Sequence, residues 1–111
     1  MELTGIREIA AHQNEVGKTQ IEERIFNIRG RQVMIDRDLA LLYQVEVAQM
    51  NRQVKRNLER FPDDFMFQLT KGEWDSLKCQ NGISNSRGGD RSLPYAFTEQ
   101  GVSMLAGLLR S

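Results

Sequence analysis

Apolar residues recur along the chain in two different periods, and the change from one to the other lays out the elements. Between Ile25 and Ile35, two β-prone runs, Ile25-Phe26-Asn27-Ile28 and Gln32-Val33-Met34-Ile35, flank Arg29-Gly30-Arg31. Glycine supplies the backbone freedom of a tight turn there, so this stretch predicts a β-hairpin. Asp36 is then placed to cap a first helix running to about Tyr43, with Asp38 favourably set against the helix dipole. After a break at Gln44-Val45-Glu46, Val47, Met50, Val54, Leu58 and Phe61 recur at spacings of three, four, four and three, which predicts a second helix. Pro62 biases its predecessor away from helical angles and stops that helix near Phe61.

From Asp64 to Leu69 the period changes to two, with Phe65, Phe67 and Leu69 on one face and Asp64, Met66 and Gln68 on the other. This is the pattern of a half-buried strand. Thr70 and Glu73 form a capping box that opens a short helix through Trp74 and Leu77. Asn81 to Ser92 is rich in Gly, Asn, Ser and Arg, lacks a period and reads as a loop. Pro94-Tyr95-Ala96-Phe97 returns as an extended segment, and Thr98 caps a last helix toward Leu109. Residues 1–20 carry only scattered apolar positions and receive no assignment. The fold class is therefore α+β: a small single domain with a hairpin, a helix-turn-helix-like pair, a short strand segment and further helices.

With 111 residues, 40% hydrophobic and 27% charged, the chain supports one small core. Its longest apolar run, Leu39 to Tyr43, is far below the roughly 18 residues of a membrane span. Glu2 follows Met1 with no apolar stretch behind it, so no cleaved secretory signal is expected and the expected compartment is the cytoplasm. Cys79 is the single cysteine and His12 the single histidine, which argues against a disulfide, a zinc site or a Cys–His nucleophile. No cofactor or metal is expected.

Fifteen Lys and Arg balance fifteen Asp and Glu, so distribution matters more than total charge. Residues 1–23 carry two bases and five acids, residues 24–60 eight bases and four acids, and residues 61–111 five and six. Seven of the eight central bases are arginine, whose planar fork suits bidentate contact with phosphate or guanine. The competing reading is an ordinary solvated helix face.

Helix position favours the first. Ala40 is the small residue a crossing helix needs, and Leu39, Tyr43, Val45 and Met50 fall at interlocking apolar positions. Gln44 stands where such turns often carry glycine for a left-handed conformation. At 100° per residue, Met50, Val47, Leu58 and Phe61 lie within about 40° of Val54 as a core face. Arg52 and Arg56 lie nearly opposite, with Gln49 beside them and Gln53 and Lys55 on the flanks. Arginine can read guanine, glutamine can read adenine, and the flanking bases can hold phosphate. Arg29 and Arg31 at the hairpin tip, with Arg87 and Arg91 in the glycine-rich loop, are candidate supporting DNA contacts.

Several strings in fixed order then resemble a known family: Ile28-Arg-Gly-Arg-Gln-Val-Met-Ile-Asp36, Asp38-Leu-Ala40, Leu42-Tyr43, Val54-Lys-Arg-Asn57, Arg60-Phe-Pro-Asp-Asp-Phe-Met-Phe-Gln-Leu-Thr70 and Leu93-Pro-Tyr-Ala-Phe-Thr-Glu-Gln-Gly-Val102. Together they resemble the KilA-N type DNA-binding domains, in the branch named after the N-terminal domain of a phage open-reading-frame-six product. The likeness covers residues 24–111 and leaves 1–23 as an N-terminal extension. It implies a compact α+β module of phage and prophage regulators, with antirepressor-like roles and no known catalysis. It carries Val54-Lys55-Arg56-Asn57 onto the reading helix, where Asn57 is expected to be structural. Arg60 to Phe65 is expected to stop that helix and enter the strand, with Arg60 tied to the aspartates.

The leading expectation is sequence-selective binding of double-stranded DNA; the alternative is a protein-interaction module that docks another regulator. A hydrolase is disfavoured because Asp36 and Asp38 are explained by capping and Asp63 and Asp64 by the turn into the strand. In the last helix, Val102, Met104, Leu105, Ala106, Leu108 and Leu109 spread over an arc of about 200°, wider than one core requires. The family usually continues past this point, so the chain reads as truncated, and the surplus face is expected to meet either a second copy, giving a homodimer, or the missing helix.

Overall fold

The computed structural model of the protein describes residues 21–82 and 92–110. Strands β1 (Phe26–Ile28) and β2 (Arg31–Ile35) form the expected hairpin, paired Phe26↔Val33 and Ile28↔Arg31. The two residues between them, Arg29 at φ 56° and Gly30 at φ 74°, both have positive φ. A two-residue hairpin with that geometry matches the right-handed twist of the strands. Helices α1 (Asp36–Tyr43) and α2 (Val47–Arg56) follow, then a 3₁₀ turn (Leu58–Arg60), β3 (Met66–Gln68), α3 (Lys71–Asn81), β4 (Tyr95–Thr98) and α4 (Glu99–Arg110). The four described strands make one antiparallel sheet in the order β1-β2-β4-β3, so the last of them in sequence lies inside the sheet.

The sheet is covered on both faces. Met34, Met66 and Phe97 pack with the apolar sides of α1, α2 and α4, whereas Phe26, Ile28, Val33, Ile35 and Ala96 pack with Trp74 and Leu77 of α3. This double cover corrects the expected alternation around β3. Met66 is buried against the first cluster, Phe67 packs on the second, and Phe65 lies in the preceding turn, its amide donating to the Pro62 carbonyl at 2.7 Å. Ile21, assigned to the extension on sequence, is fully buried in the first cluster.

The second helix is shorter than its period suggests. α2 ends at Arg56, Asn57 leaves helical geometry at φ −125°, ψ 37°, and its side-chain amide donates to the Gln53 carbonyl at 2.9 Å, the structural role expected of it. The 3₁₀ turn that follows advances about 120° per residue, so the α-helical projection no longer holds. Leu58, placed by that projection in the core, is 52% exposed, while Phe61 is buried edge-on to Phe97 with ring centroids 6.0 Å apart. Val47 is likewise partly exposed, which leaves Met50 and Val54 as the buried face of α2.

The capping box of α3 forms as predicted: Thr70 Oγ1 accepts from the Glu73 amide and Glu73 Oε1 accepts from the Thr70 amide. Thr98 Oγ1 accepts from the Gly101 amide at 3.3 Å at the start of α4, and also donates to the Asp64 carbonyl at 2.7 Å. In α4 itself Val102, Leu105, Ala106 and Leu108 are buried within the monomer, and Met104 and Leu109 are half-buried. Most of the wide apolar arc of α4 is thus covered within the domain.

Candidate nucleic-acid interface

The local chemistry that projects α2 begins at the end of α1. Gln44 adopts the left-handed conformation, φ 58° and ψ 45°. Its amide donates to the Leu41 carbonyl at 3.2 Å, and the Val45 amide donates to the Ala40 carbonyl at 3.0 Å. These are the 5→2 and 6→1 bonds that satisfy the last carbonyls of a helix and turn the chain away from its axis. Glutamine performs here what glycine would do without steric cost. Ala40 and Leu39 are buried under the pair, and the turn leaves Leu41 62% exposed, with Val45 and Val47 both partly exposed.

α2 then turns Met50 and Val54 inward and presents Gln49, Arg52, Lys55 and Arg56 to solvent, with Gln53 half-buried. No acidic residue lies in its first turn. Among the described residues Arg52 and Arg56 make no ion pair, and Lys55 stands 5.9 Å from the centre of the Tyr95 ring. Two guanidinium groups and an ammonium therefore share one exposed helical face, within reach of a polyanion and without neutralising carboxylates.

The hairpin arginines are engaged elsewhere. Arg29 donates from Nε to Glu73 Oε2 at 2.7 Å and from Nη2 to Glu73 Oε1 at 3.0 Å, and its guanidinium lies 4.1 Å above the Phe67 ring. It is thus bound toward α3, across the sheet from α2. Arg31 donates to the Asp64 carbonyl at 3.1 Å and lies 3.5 Å from the Asp64 carboxylate. Asp64 takes Arg31 as its cation, and Arg60 makes no ion pair among the described residues, contrary to the expected tie between Arg60 and the aspartates. Arg87 and Arg91 lie outside the described residues. Of the sequence-predicted contacts, the structure brings together Gln49, Arg52, Gln53, Lys55 and Arg56.

The Arg29 fork, followed by the Thr70 amide, holds the Glu73 carboxyl down to about 2 from 4.5. A carboxyl depressed in the folded state contributes stability above its unfolded value, and that contribution is lost as pH falls toward the folded one. The domain is expected to lose stability between about pH 4.5 and 2, and Glu73→Gln to lose less over the same window. Urea midpoints at pH 5, 3.5 and 2.5 check this; parallel pH profiles for the two proteins would remove the linkage.

Sequence reasoning missed the contact between Asp36 and Asn51. Asp36 is the first residue of α1 rather than its cap, is 4% exposed, and accepts bonds from three segments. The available signal was the angle of Asn51, which projects about 60° from Val54, on the border of the buried face. Asp38, expected only to favour the helix dipole, pairs with Arg24 at 2.8 Å.

Comparison with known families adds one finding: the model of the ORF6N domain family matches residues 23–108. The chain belongs to the ORF6N domain family. The match begins at Glu23, before β1, and closes within α4, so the whole described sheet and the α1–α2 pair lie inside this ORF6N domain. The family name points to a phage-associated module. No curated protein and no solved structure matches the chain. Among its described residues, this ORF6N domain has no helix long and apolar enough to cross a membrane.

Proposed function

We propose that this ORF6N domain is a non-catalytic, sequence-selective binder of double-stranded DNA of the KilA-N type, serving a phage or prophage regulator in an antirepressor-like role. In this reading α1 and α2 act as a helix-turn-helix and α2 enters the major groove. The observation that carries it is the exposed Arg52, Lys55 and Arg56 face of α2, free of carboxylate partners among the described residues. Arg52 and Arg56 suit the two acceptors of guanine, Gln49 and Gln53 the donor and acceptor of adenine, and Lys55 a phosphate. Arg29 and Arg31 are assigned to ion pairs within the domain rather than to the phosphate backbone.

Each of the three cations, on a base edge or on a phosphate, enters the duplex's counterion atmosphere and displaces counterions, so counted at the rate of roughly 0.9 per neutralised phosphate the logarithm of affinity should fall against the logarithm of salt with a slope of about −2.7. Affinity is then expected to drop about fortyfold from 50 to 200 mM salt. Fluorescence anisotropy on a labelled duplex measures it. A slope near −4.5 would restore the hairpin arginines as contacts, and no binding at 50 mM would reject the DNA reading.

A second reading, docking of another regulatory protein, is favoured by the exposure of Leu41, Val45 and Val47 around the same turn. Self-association through α4 would rest on Met104 and Leu109 alone, since Leu108 is buried within the monomer.

A further inference from the structure

Asp36 sits buried where β2 runs into α1. Its Oδ1 accepts the Arg37 amide at 2.7 Å, and its Oδ2 accepts both the Asn51 side-chain amide at 2.9 Å and the Tyr95 backbone amide at 3.3 Å. One carboxylate thus ties the β2–α1 junction, the middle of α2 and the start of β4. Asn51 must present its NH₂ to that carboxylate, because only the NH₂ can donate. Its Oδ1 is buried and has no hydrogen-bond partner among the described residues. The side chain is held from one end only, by a charge-assisted and directional bond.

Apolar contacts at Met50 and Val54 hold α2 against the core through a non-directional driving force, whereas a directional bond also bears on rotation about the helix axis. The bond at Asn51 acts on that rotation. Arg52 is the next residue along the helix, and any turn of the helix is magnified at the tip of a long guanidinium side chain. We propose that Asp36 is a positioning residue: through Asn51 it sets the rotation of α2, so that Arg52 and Arg56 meet base edges instead of merely lying near phosphates. This rests on the DNA reading above and adds a device that governs selectivity separately from attraction.

The test uses the full chain, a duplex selected from a random pool and a scrambled duplex of the same composition, at 50 and 200 mM salt. Asn51→Ala is expected to lower the selected-to-scrambled affinity ratio about tenfold, the scale of one good base contact, while affinity for the scrambled duplex and its salt slope stay unchanged. Asn51→Asp sets two carboxylates against each other and should abolish the preference or the fold. Adding Asp36→Asn to Asn51→Asp pairs an amide with a carboxylate again but turns the new NH₂ toward the Tyr95 amide, so it should recover the ratio in part relative to Asn51→Asp. Circular dichroism melts establish which variants are folded, and recovery in the double variant counts as support even where Asn51→Asp alone does not fold. A folded Asn51→Ala with the ratio unchanged overturns the inference and leaves the DNA reading standing, as does a double variant that folds without recovery; a natural chain that holds no duplex overturns both.

Discussion

Gly101→Ala is expected to destabilise the domain by about 3 kcal/mol, at the upper end of what one added methyl group costs in a packed site. A Cβ at residue 101 would overlap the Phe65 carbonyl oxygen and lie 2.8 Å from the carbonyl carbon. Neither neighbour can yield as a flexible side chain could, because the Phe65 carbonyl also accepts the Thr98 amide at 3.0 Å. The higher helix propensity of alanine, about 1 kcal/mol, does not offset a backbone collision. For a domain of this size the melting temperature should fall by roughly 12 to 24 °C. Gly107→Ala is the matched control in the same helix: nothing lies within 4 Å of its added Cβ, so it should be neutral or slightly stabilising. Thermal melts of the two variants decide the matter, and similar melting temperatures would dissolve the argument from close approach.

The second large effect concerns reading against holding. Arg52→Ala and Arg56→Ala should each cost about 1 to 3 kcal/mol at particular base pairs, whereas Lys55→Ala should weaken all duplexes about equally. Both arginines are exposed and on one face of α2, so the substitutions remove no packing that the fold needs. Competition with single-base-pair variants of a selected duplex separates the two behaviours. Equal losses on selected and scrambled DNA for all three substitutions, with melts unchanged, would mean that α2 does not read bases.

What could be read along the chain was the chemistry that acts over a few residues. The Arg29-Gly30 turn, the left-handed Gln44, the Thr70 and Glu73 box and the Thr98 cap each depend on neighbours within about five positions, and each formed. Leu58 was misplaced because a single residue, Asn57, changes the helical advance, and a period cannot reveal where it ceases to apply. Partners distant in sequence were invisible. Glu73 lies 44 residues from Arg29, and Tyr95 lies 59 from Asp36, so the charge arithmetic that offered the hairpin arginines to DNA had no access to the carboxylates that occupy them. The exposed face of α2 was legible because amphipathic projection is itself a local property.

The position of β4 has a consequence for how the domain is made. It lies between β2 and β3, yet it is the last of the four described strands to be synthesised. The hairpin, the helix pair and β3 all emerge before the segment that joins them, and until residues 95–98 clear the exit tunnel β2 lacks its second described neighbour and β3 the strand it pairs with. Closure of the sheet is therefore a late event of synthesis, and the nascent chain carries open strand edges until then.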